Sequence, residues 1–253
     1  MGRKVQNKQH KQDSKTKQNS NLNSIQKRLQ PLIDKLLQLT TLPAEQNISK
    51  CLELQNEINQ VIDQVTELER EIDLTYPADI RCSSATLDRF TKWMKENGAK
   101  FDGTKIAEFP GYELGLQADV DIQESSLVIA VPRRLMLTVE AARNSPLKPL
   151  VEKDPLLSNM PNVVLAIFVL LEKFKENSFW KPYIDILPTS YSTVLYFSLD
   201  ELKELQGSPT LDKALKQIKN IARQYAYFYK LIWTSDNQAC KILRKHFTYN
   251  QYR

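Results

Sequence analysis

The sequence predicts an α+β fold in which helical segments flank a short region of strands. Helical patterns occupy most of residues 23–75, β-branched residues concentrate between Ile106 and Thr138, and apolar helical segments follow. Helices and strands that occupy separate parts of a chain are typical of the α+β class. With 253 residues, of which 42% are apolar, the chain can bury the core of one or two domains.

The first 20 residues carry the net charge of the chain. They hold six Lys or Arg residues against Asp13 alone, which accounts for the formal net charge of +5. Because Lys, Gln, Asn and Ser cannot bury enough apolar surface, the sequence predicts a disordered basic tail over residues 1–22. Such a tail could contact nucleic acid, act as a nuclear address or be merely solvated. The rest of the chain has no basic patch with interleaved aromatic residues, so nucleic-acid binding is not expected.

Two helices are predicted before residue 75. Ile25, Leu29, Leu32 and Leu36 recur at helical spacing, and a heptad pattern of apolar residues runs from Cys51 to Ile72. The heptads fit a coiled coil, but they also fit an amphipathic helix that lies on its own domain, which is the preferred interpretation. Pro77 ends the second helix, because proline disfavours a helical conformation in the residue before it.

The middle of the chain changes from a helix to strands. A short helix is predicted over Ala85–Asn97, ended by Gly98 in a left-handed C-cap. Strands are then predicted over Tyr112–Ala118 and Leu127–Val131, because the stretch 106–138 that contains them is rich in β-branched residues bounded by Gly and Pro.

The remainder of the chain is predicted to be helical. Helices are expected over Val163–Lys175, Leu199–Leu205 and Leu211–Ile232, the first of them buried on most faces. Three scattered cysteines and two histidines, without a CxxC pair, predict reduced thiols and no metal site. The sequence contains no run of about 18 apolar residues, so no membrane span is predicted, and no secretory signal is expected.

Several motifs resemble the opening half of a SET domain. In the strand region these are Leu114-Gly115-Leu116, Ala118-Asp119-Val120-Asp121-Ile122 and Val131-Pro132. Residues 132–140 and 177–184 resemble the Rubisco lysine methyltransferase class, which carries a helical insertion inside the SET fold. Residues 222–230 are similar to the actin-histidine N-methyltransferases of that class.

The resemblance implies four segments and an incomplete SET domain. These are a basic tail (1–22), N-terminal helices (23–75), the first half of a SET domain (76–138) and a mostly helical SET insertion (139–253). A SET domain also has a second half, with an Asn-His motif and a later tyrosine, and neither occurs before Arg253. We therefore expect the chain to be an N-terminal portion that is inactive alone.

The resemblance also implies a reaction and partners. The expected activity is methyl transfer from S-adenosyl-L-methionine to a histidine ring nitrogen of actin, by a monomer whose expected locations are the cytoplasm and also the nucleus. A lysine acceptor within the same class and a non-catalytic, actin-binding product are the alternatives.

By resemblance, the cofactor-binding residues are Arg81, Tyr112, Glu113 and Leu114. The last three correspond to a family segment that binds the cofactor through its main chain, although the family usually has an acidic residue, Gly and an aromatic residue there. Arg81 corresponds to an arginine that faces the cofactor's carboxylate, a task suited to a forked guanidinium. Arg89 is a competitor for that role.

The predicted substrate-binding residue is Arg223, which by resemblance contacts the bound actin peptide. The alternative is a helix-surface ion pair with Glu201 or Glu204. Tyr225 and Phe228 follow at helical spacing and are predicted to be core. No catalytic residue is assigned.

Overall fold

The computed structural model describes residues 2–43, 47–72 and 81–253, and for residues 2–20 it describes the backbone alone. In chain order the helices are α1 (Gly2–Thr41), α2 (Ile48–Arg70), α3 (Ser84–Glu96), α4 (Val139–Arg143), α5 (Lys148–Lys153), α6 (Pro155–Asn159), α7 (Pro161–Phe174), α8 (Lys181–Ile184), α9 (Leu199–Lys203), α10 (Pro209–Thr234), α11 (Gln238–Leu243) and α12 (Tyr249–Tyr252). The strands β1 (Thr104–Phe109) and β2 (Glu113–Ala118) lie between α3 and α4, and single 3₁₀ turns cover Arg133–Leu135 and Val194–Tyr196.

The chain forms two compact units. The first unit comprises Met1–Thr75 and Ser192–Arg253, and the second comprises Tyr76–Tyr191. The first boundary lies next to residue 76, where the sequence predicts the start of the SET segment. Residues 139–253, predicted as one insertion, are shared between the units. The four-segment division stays a prediction.

The first unit is a helical assembly around α10. Helix α1 packs against both α2 and α10, and α2 also contacts α9 and α12. The buried residues of α2 include Leu52, Gln55 and Ile62 in addition to Ile58, Val61 and Val65 of the heptad pattern. A buried face wider than a heptad seam is that of an amphipathic helix lying on its own unit. Of the two alternatives for α2, the structure therefore shows this one.

The structure differs from the predicted disordered tail. Helix α1 begins at Gly2, so the backbone over residues 2–22 is helical and continues without a break to Thr41. Lys and Gln are good helix formers, and neither Gly nor Pro occurs between Gly2 and Pro31. Nothing in the local sequence therefore interrupts the helix, whereas the prediction of disorder rested on composition alone.

Helix α3 ends as the sequence predicts. Gly98 has φ +85°, its N–H donates to the carbonyl of Lys95, and the N–H of Ala99 donates to the carbonyl of Met94 at 3.0 Å. These bonds satisfy carbonyls of the last helical turn, and glycine reaches the left-handed conformation without steric cost. The chain thus turns away from α3 at a defined point before it enters β1.

The two strands form an antiparallel hairpin. Thr104 pairs with Ala118 and Phe109 with Glu113, and the N–H of Tyr112 donates to the carbonyl of Phe109 at 2.9 Å to close the turn. The strand predicted over Tyr112–Ala118 is present as β2, with Tyr112 itself in the turn.

The strand predicted over Leu127–Val131 is not formed. Among the described residues this segment makes a single bridge, between Ala130 and Lys100, with backbone N···O distances of 2.8 and 2.9 Å. Leu127 is 73% exposed. The β-branched composition favours an extended backbone, but a strand also requires a neighbouring strand with which to pair. Composition alone therefore overestimated this element.

The core of the second unit lies around α7. Val164, Ile167, Phe168 and Leu171 are all buried, as predicted for a helix apolar on most faces. The Phe168 ring meets the Trp180 ring edge-on, with centroids 5.4 Å apart. This contact fixes the start of α8, and the residues after α8 contribute to the candidate site.

Among the helices of the described residues, none is long and apolar enough to cross a membrane. The same part of the chain contains no group of three His, Cys, Asp or Glu side chains arranged to hold a metal ion.

Candidate functional site

The tip of the β1–β2 hairpin presents the predicted cofactor segment. Tyr112 is 86% exposed at the turn, and Leu114 pairs with Glu108 across the hairpin. Glu113 begins β2 with φ +60°, a left-handed conformation that non-glycine residues seldom adopt. The turn therefore projects three consecutive residues, and the middle one has an unusual backbone.

Arg81 contacts this hairpin tip. Its Nη1 makes an ion pair with the Glu113 carboxylate, and its Nε donates to the carbonyl of Ile186 at 3.0 Å. The Arg81 side chain is 13% exposed and that of Glu113 is 63% exposed. The guanidinium is thus held by a backbone carbonyl at a largely buried position, whereas the carboxylate reaches it from solvent. Two of the predicted cofactor residues are brought together from positions 32 residues apart.

Arg89, the competing arginine, has different partners. Its Nη1 is 3.9 Å from the Asp185 carboxylate, and its Nη2 donates to the Thr86 hydroxyl at 3.4 Å. These partners belong to α3 itself and to the end of α8. Of the two arginines, Arg81 contacts the Tyr112–Leu114 segment.

The amino-acid end of S-adenosylmethionine fits the groups present here. That end carries a carboxylate, and a largely buried, oriented guanidinium is a strong partner for a carboxylate. Arg81 is held by Ile186 independently of Glu113, so it stays oriented when the Glu113 carboxylate is replaced. The roles of Arg81, Tyr112, Glu113 and Leu114 in cofactor binding stay predictions.

Arg223 lies in the other unit, exposed on α10. Its Nη2 donates to the Asn220 side chain at 2.7 Å. Within the described residues it forms no ion pair with Glu201 or Glu204. The Glu201 carboxylate accepts the N–H of Ser198 at 2.7 Å in a capping box, and this bond lowers the pKa of Glu201. Arg223 is therefore not committed to the ion pair that was the alternative to a substrate role.

A second cation lies near Arg223 on the same helix. Lys219 donates to the carbonyl of Leu42 at 2.7 Å. Partial burial and, to a lesser extent, the charge of Arg223 lower the pKa of Lys219. Lys219 precedes Arg223 by four residues, which places the two on one face of α10.

Helix α10, which carries Arg223, is anchored by a buried polar cluster. Tyr225 is fully buried and donates from its hydroxyl to Glu69 of α2, and the second carboxylate oxygen of Glu69 accepts the N–H of Tyr249 at 2.9 Å. Burial and the Glu69 carboxylate raise the pKa of Tyr225 well above its ordinary value. Burial also raises the pKa of Tyr249 to about 12. The prediction that Tyr225 and Phe228 are core rather than a substrate platform is confirmed by their burial.

Two features of the site escaped prediction from the sequence. The carbonyl of Ile186 is a backbone group, and no side-chain pattern could mark it as a partner of Arg81. Glu69 falls among the polar residues of a heptad pattern, which gave no reason to expect that it is buried. Its distance of 156 residues from Tyr225 also hides the pairing.

Comparison with known proteins supports a relationship to one group of enzymes, although no protein-family model matches the chain. It is 45% identical over 162 residues to the actin-histidine N-methyltransferase of Homo sapiens, covering 64% of this chain and 27% of the relative. It is 37% identical over 222 residues to that of Mus musculus, covering 88% of this chain and 37% of the relative.

Solved structures agree with the sequence comparison. The SET domain of LSMT bound to lysine and AdoHcy matches with a TM-score of 0.57 at 25% identity, covering 67% of this chain and 38% of that one. Rubisco LSMT bound to AdoMet matches with a TM-score of 0.55 at 25% identity, covering 66% of this chain and 38% of that one. The chain is thus similar, in sequence and in fold, to SET-domain methyltransferases.

The predicted α+β fold with part of a SET domain is thereby confirmed. The chain spans between about a quarter and somewhat over a third of the length of the actin-histidine N-methyltransferases that it matches.

Proposed function

We propose that this chain belongs to a protein-histidine N-methyltransferase that transfers a methyl group from S-adenosylmethionine to the tele nitrogen of a histidine in actin. The contact between Arg81 and the hairpin tip carries the cofactor part of this proposal, because it joins two segments that the family resemblance assigns to the same ligand. The identity to actin-histidine N-methyltransferases supports the acceptor part.

The residues of this chain would act by binding and orientation. Arg81 would hold the carboxylate of the cofactor, and the main chain of Tyr112–Leu114 would bind alongside it. Arg223, exposed on α10, would hold the actin peptide. When bound, S-adenosylmethionine supplies a methyl group on a sulfonium sulfur, which a neutral imidazole nitrogen can accept. Fixing two reactants in line supplies much of the acceleration of such a transfer.

Neutral imidazole suits this reaction at cytosolic pH. The ordinary pKa of histidine is about 6.5, so much of the acceptor is already neutral there. Methyl transfer would form the bond between the ring nitrogen and the methyl carbon and break the bond between that carbon and sulfur, which would keep the electron pair. The imidazole would then give up its N–H proton to solvent.

The substrate role of Arg223 is tested by the variant Arg223→Ala. We expect this variant to bind a histidine-containing actin peptide about tenfold more weakly, which corresponds to about 1.4 kcal/mol for a lost charge-assisted contact. The affinity for S-adenosylmethionine should stay unchanged. Calorimetric titration of each ligand measures both quantities.

The matched control is Lys216→Ala, which removes another exposed cation of α10 that pairs with Asp212. It should leave peptide binding within about twofold of the unmodified chain. Weaker cofactor binding by Arg223→Ala, with unchanged peptide affinity, would show that Arg223 serves the cofactor and not the peptide. A peptide with Lys in place of the acceptor His tests the lysine alternative, which tighter binding of that peptide would favour.

A further inference from the structure

Glu113 occupies a donor of the Arg81 guanidinium that a ligand carboxylate could also use. The Glu113 carboxylate makes an ion pair with Nη1 of the Arg81 guanidinium. If Arg81 binds the carboxylate of the cofactor, as the proposed function requires, two carboxylates address one guanidinium. Competition between the two carboxylates would affect which ligands this site binds.

The two partners of the ion pair are not equally fixed. The Arg81 side chain is 13% exposed and donates through Nε to the carbonyl of Ile186 at 3.0 Å, so it keeps its position without Glu113. The Glu113 side chain is 63% exposed and can rotate into solvent at little cost in hydration. The carboxylate is therefore the exchangeable member of the pair, and Arg81 is the preformed receptor.

The backbone holds Glu113 at this position. Glu113 has φ +60° at the first residue of β2, and its neighbours Tyr112 and Phe109 close the hairpin turn by a backbone hydrogen bond of 2.9 Å. The left-handed conformation is uncommon for a residue with a long side chain. Glycine would adopt this backbone conformation at lower cost. The Glu113 carboxylate is therefore the unusual feature of this turn.

We propose that Glu113 is an internal competitor of the cofactor carboxylate and thereby sets the ligand selectivity of the site. A ligand carboxylate that binds Nη1 of Arg81 displaces Glu113, whereas an adenosyl ligand that lacks a carboxylate has no such exchange to make. Glu113 thus weakens the binding of adenosyl ligands that carry a carboxylate and leaves the binding of those without one unchanged. The inference rests on the proposed cofactor role of Arg81.

The test compares two ligands on two variants. S-adenosylhomocysteine carries the amino-acid end, and 5′-methylthioadenosine is an adenosyl thioether without it. Glu113→Gln removes the charge and keeps the size of the side chain, and Glu113→Gly also relieves the left-handed backbone. We expect either variant to tighten S-adenosylhomocysteine binding about three- to fivefold, since a half-exposed ion pair is a weak competitor. For Glu113→Gln, which keeps the main chain that the cofactor would contact, the affinity for 5′-methylthioadenosine should stay the same.

The control is Glu108→Gln, which removes a carboxylate from β1 of the same hairpin, at the residue opposite Leu114. It should leave both affinities unchanged, and urea unfolding of each variant verifies that the fold is intact. Unchanged or weaker S-adenosylhomocysteine binding by both Glu113 variants would overturn the competitor role and leave the proposed function standing. Failure of the unmodified chain and of every variant to bind either ligand would refute the cofactor site itself, and the competitor role with it.

Discussion

Replacement of Glu69 by Ala is expected to lower the free energy of unfolding by about 3 kcal/mol. Glu69 is 3% exposed and accepts hydrogen bonds from the Tyr225 hydroxyl and the Tyr249 N–H, both of which are buried. Removal of the carboxylate leaves two buried donors without this acceptor, and each unsatisfied group costs about 1–3 kcal/mol. The affected contacts join α2 to α10 and α12 within the first unit.

Urea unfolding followed by the helical circular dichroism signal measures this loss. Glu67→Ala is the matched control, because Glu67 lies two residues earlier on α2 in an exposed ion pair with Arg70. Exposed pairs contribute little, so the control should lose less than about 0.5 kcal/mol. Glu69→Gln keeps one acceptor oxygen and should fall between the two. Equal stability of Glu69→Ala and Glu67→Ala would contradict the anchoring role of this cluster.

Replacement of Arg81 by Ala is expected to weaken S-adenosylmethionine binding about 30-fold, which corresponds to about 2 kcal/mol. The guanidinium is largely buried and oriented by the carbonyl of Ile186, so its contact with a carboxylate is screened less than one at an open surface. Arg81→Lys keeps the charge and loses the fork, so it should recover only part of the affinity. Calorimetric titration with S-adenosylmethionine measures the affinities of the unmodified chain, Arg81→Ala and Arg81→Lys.

Arg89→Ala is the control for this experiment. Arg89 is the other arginine of the same unit that the sequence suggests for this role, and it faces Asp185 instead of the hairpin. It should leave the affinity within about twofold. A 30-fold loss in Arg89→Ala, together with unchanged binding in Arg81→Ala, would show that the arginines were assigned the wrong way round.

Local sequence predicted those elements that are stabilised by nearby residues. The end of α3 follows from Gly98 alone, since a left-handed C-cap needs only the conformational freedom of glycine and the preceding turn. Helices α7 and α10 follow from apolar spacing, because their buried faces repeat with the helical period. Strand β2 was predicted from the strand-like composition of the surrounding stretch and its Gly and Pro boundaries.

Elements that depend on distant partners were predicted less well. Leu127–Val131 has the composition of a strand, but in the described residues its one ladder contact is the bridge between Ala130 and Lys100. The burial of Glu69 depends on Tyr225 and Tyr249, which lie more than 150 residues away. A pattern within a single helix carries no information about such partners.

The candidate site was predicted in part for a related reason. Family resemblance identified Arg81 and Glu113 as separate cofactor residues, and the structure shows that they contact each other. The ion pair itself could not be predicted, because it depends on the left-handed backbone of Glu113 and on the position of the Ile186 carbonyl. Both are set by the packing of the second unit.

We propose that the hairpin tip and Arg81 form the binding site for the amino-acid end of S-adenosylmethionine. This proposal can be checked by nitrogen–proton correlation spectra of the ¹⁵N-labelled chain, recorded during titration with S-adenosylhomocysteine. We predict saturable shifts of the Arg81 Nε–H signal and of the backbone amides of Tyr112–Leu114, with a common dissociation constant. Saturable binding that leaves Arg81 and all three hairpin amides unshifted would contradict the claim.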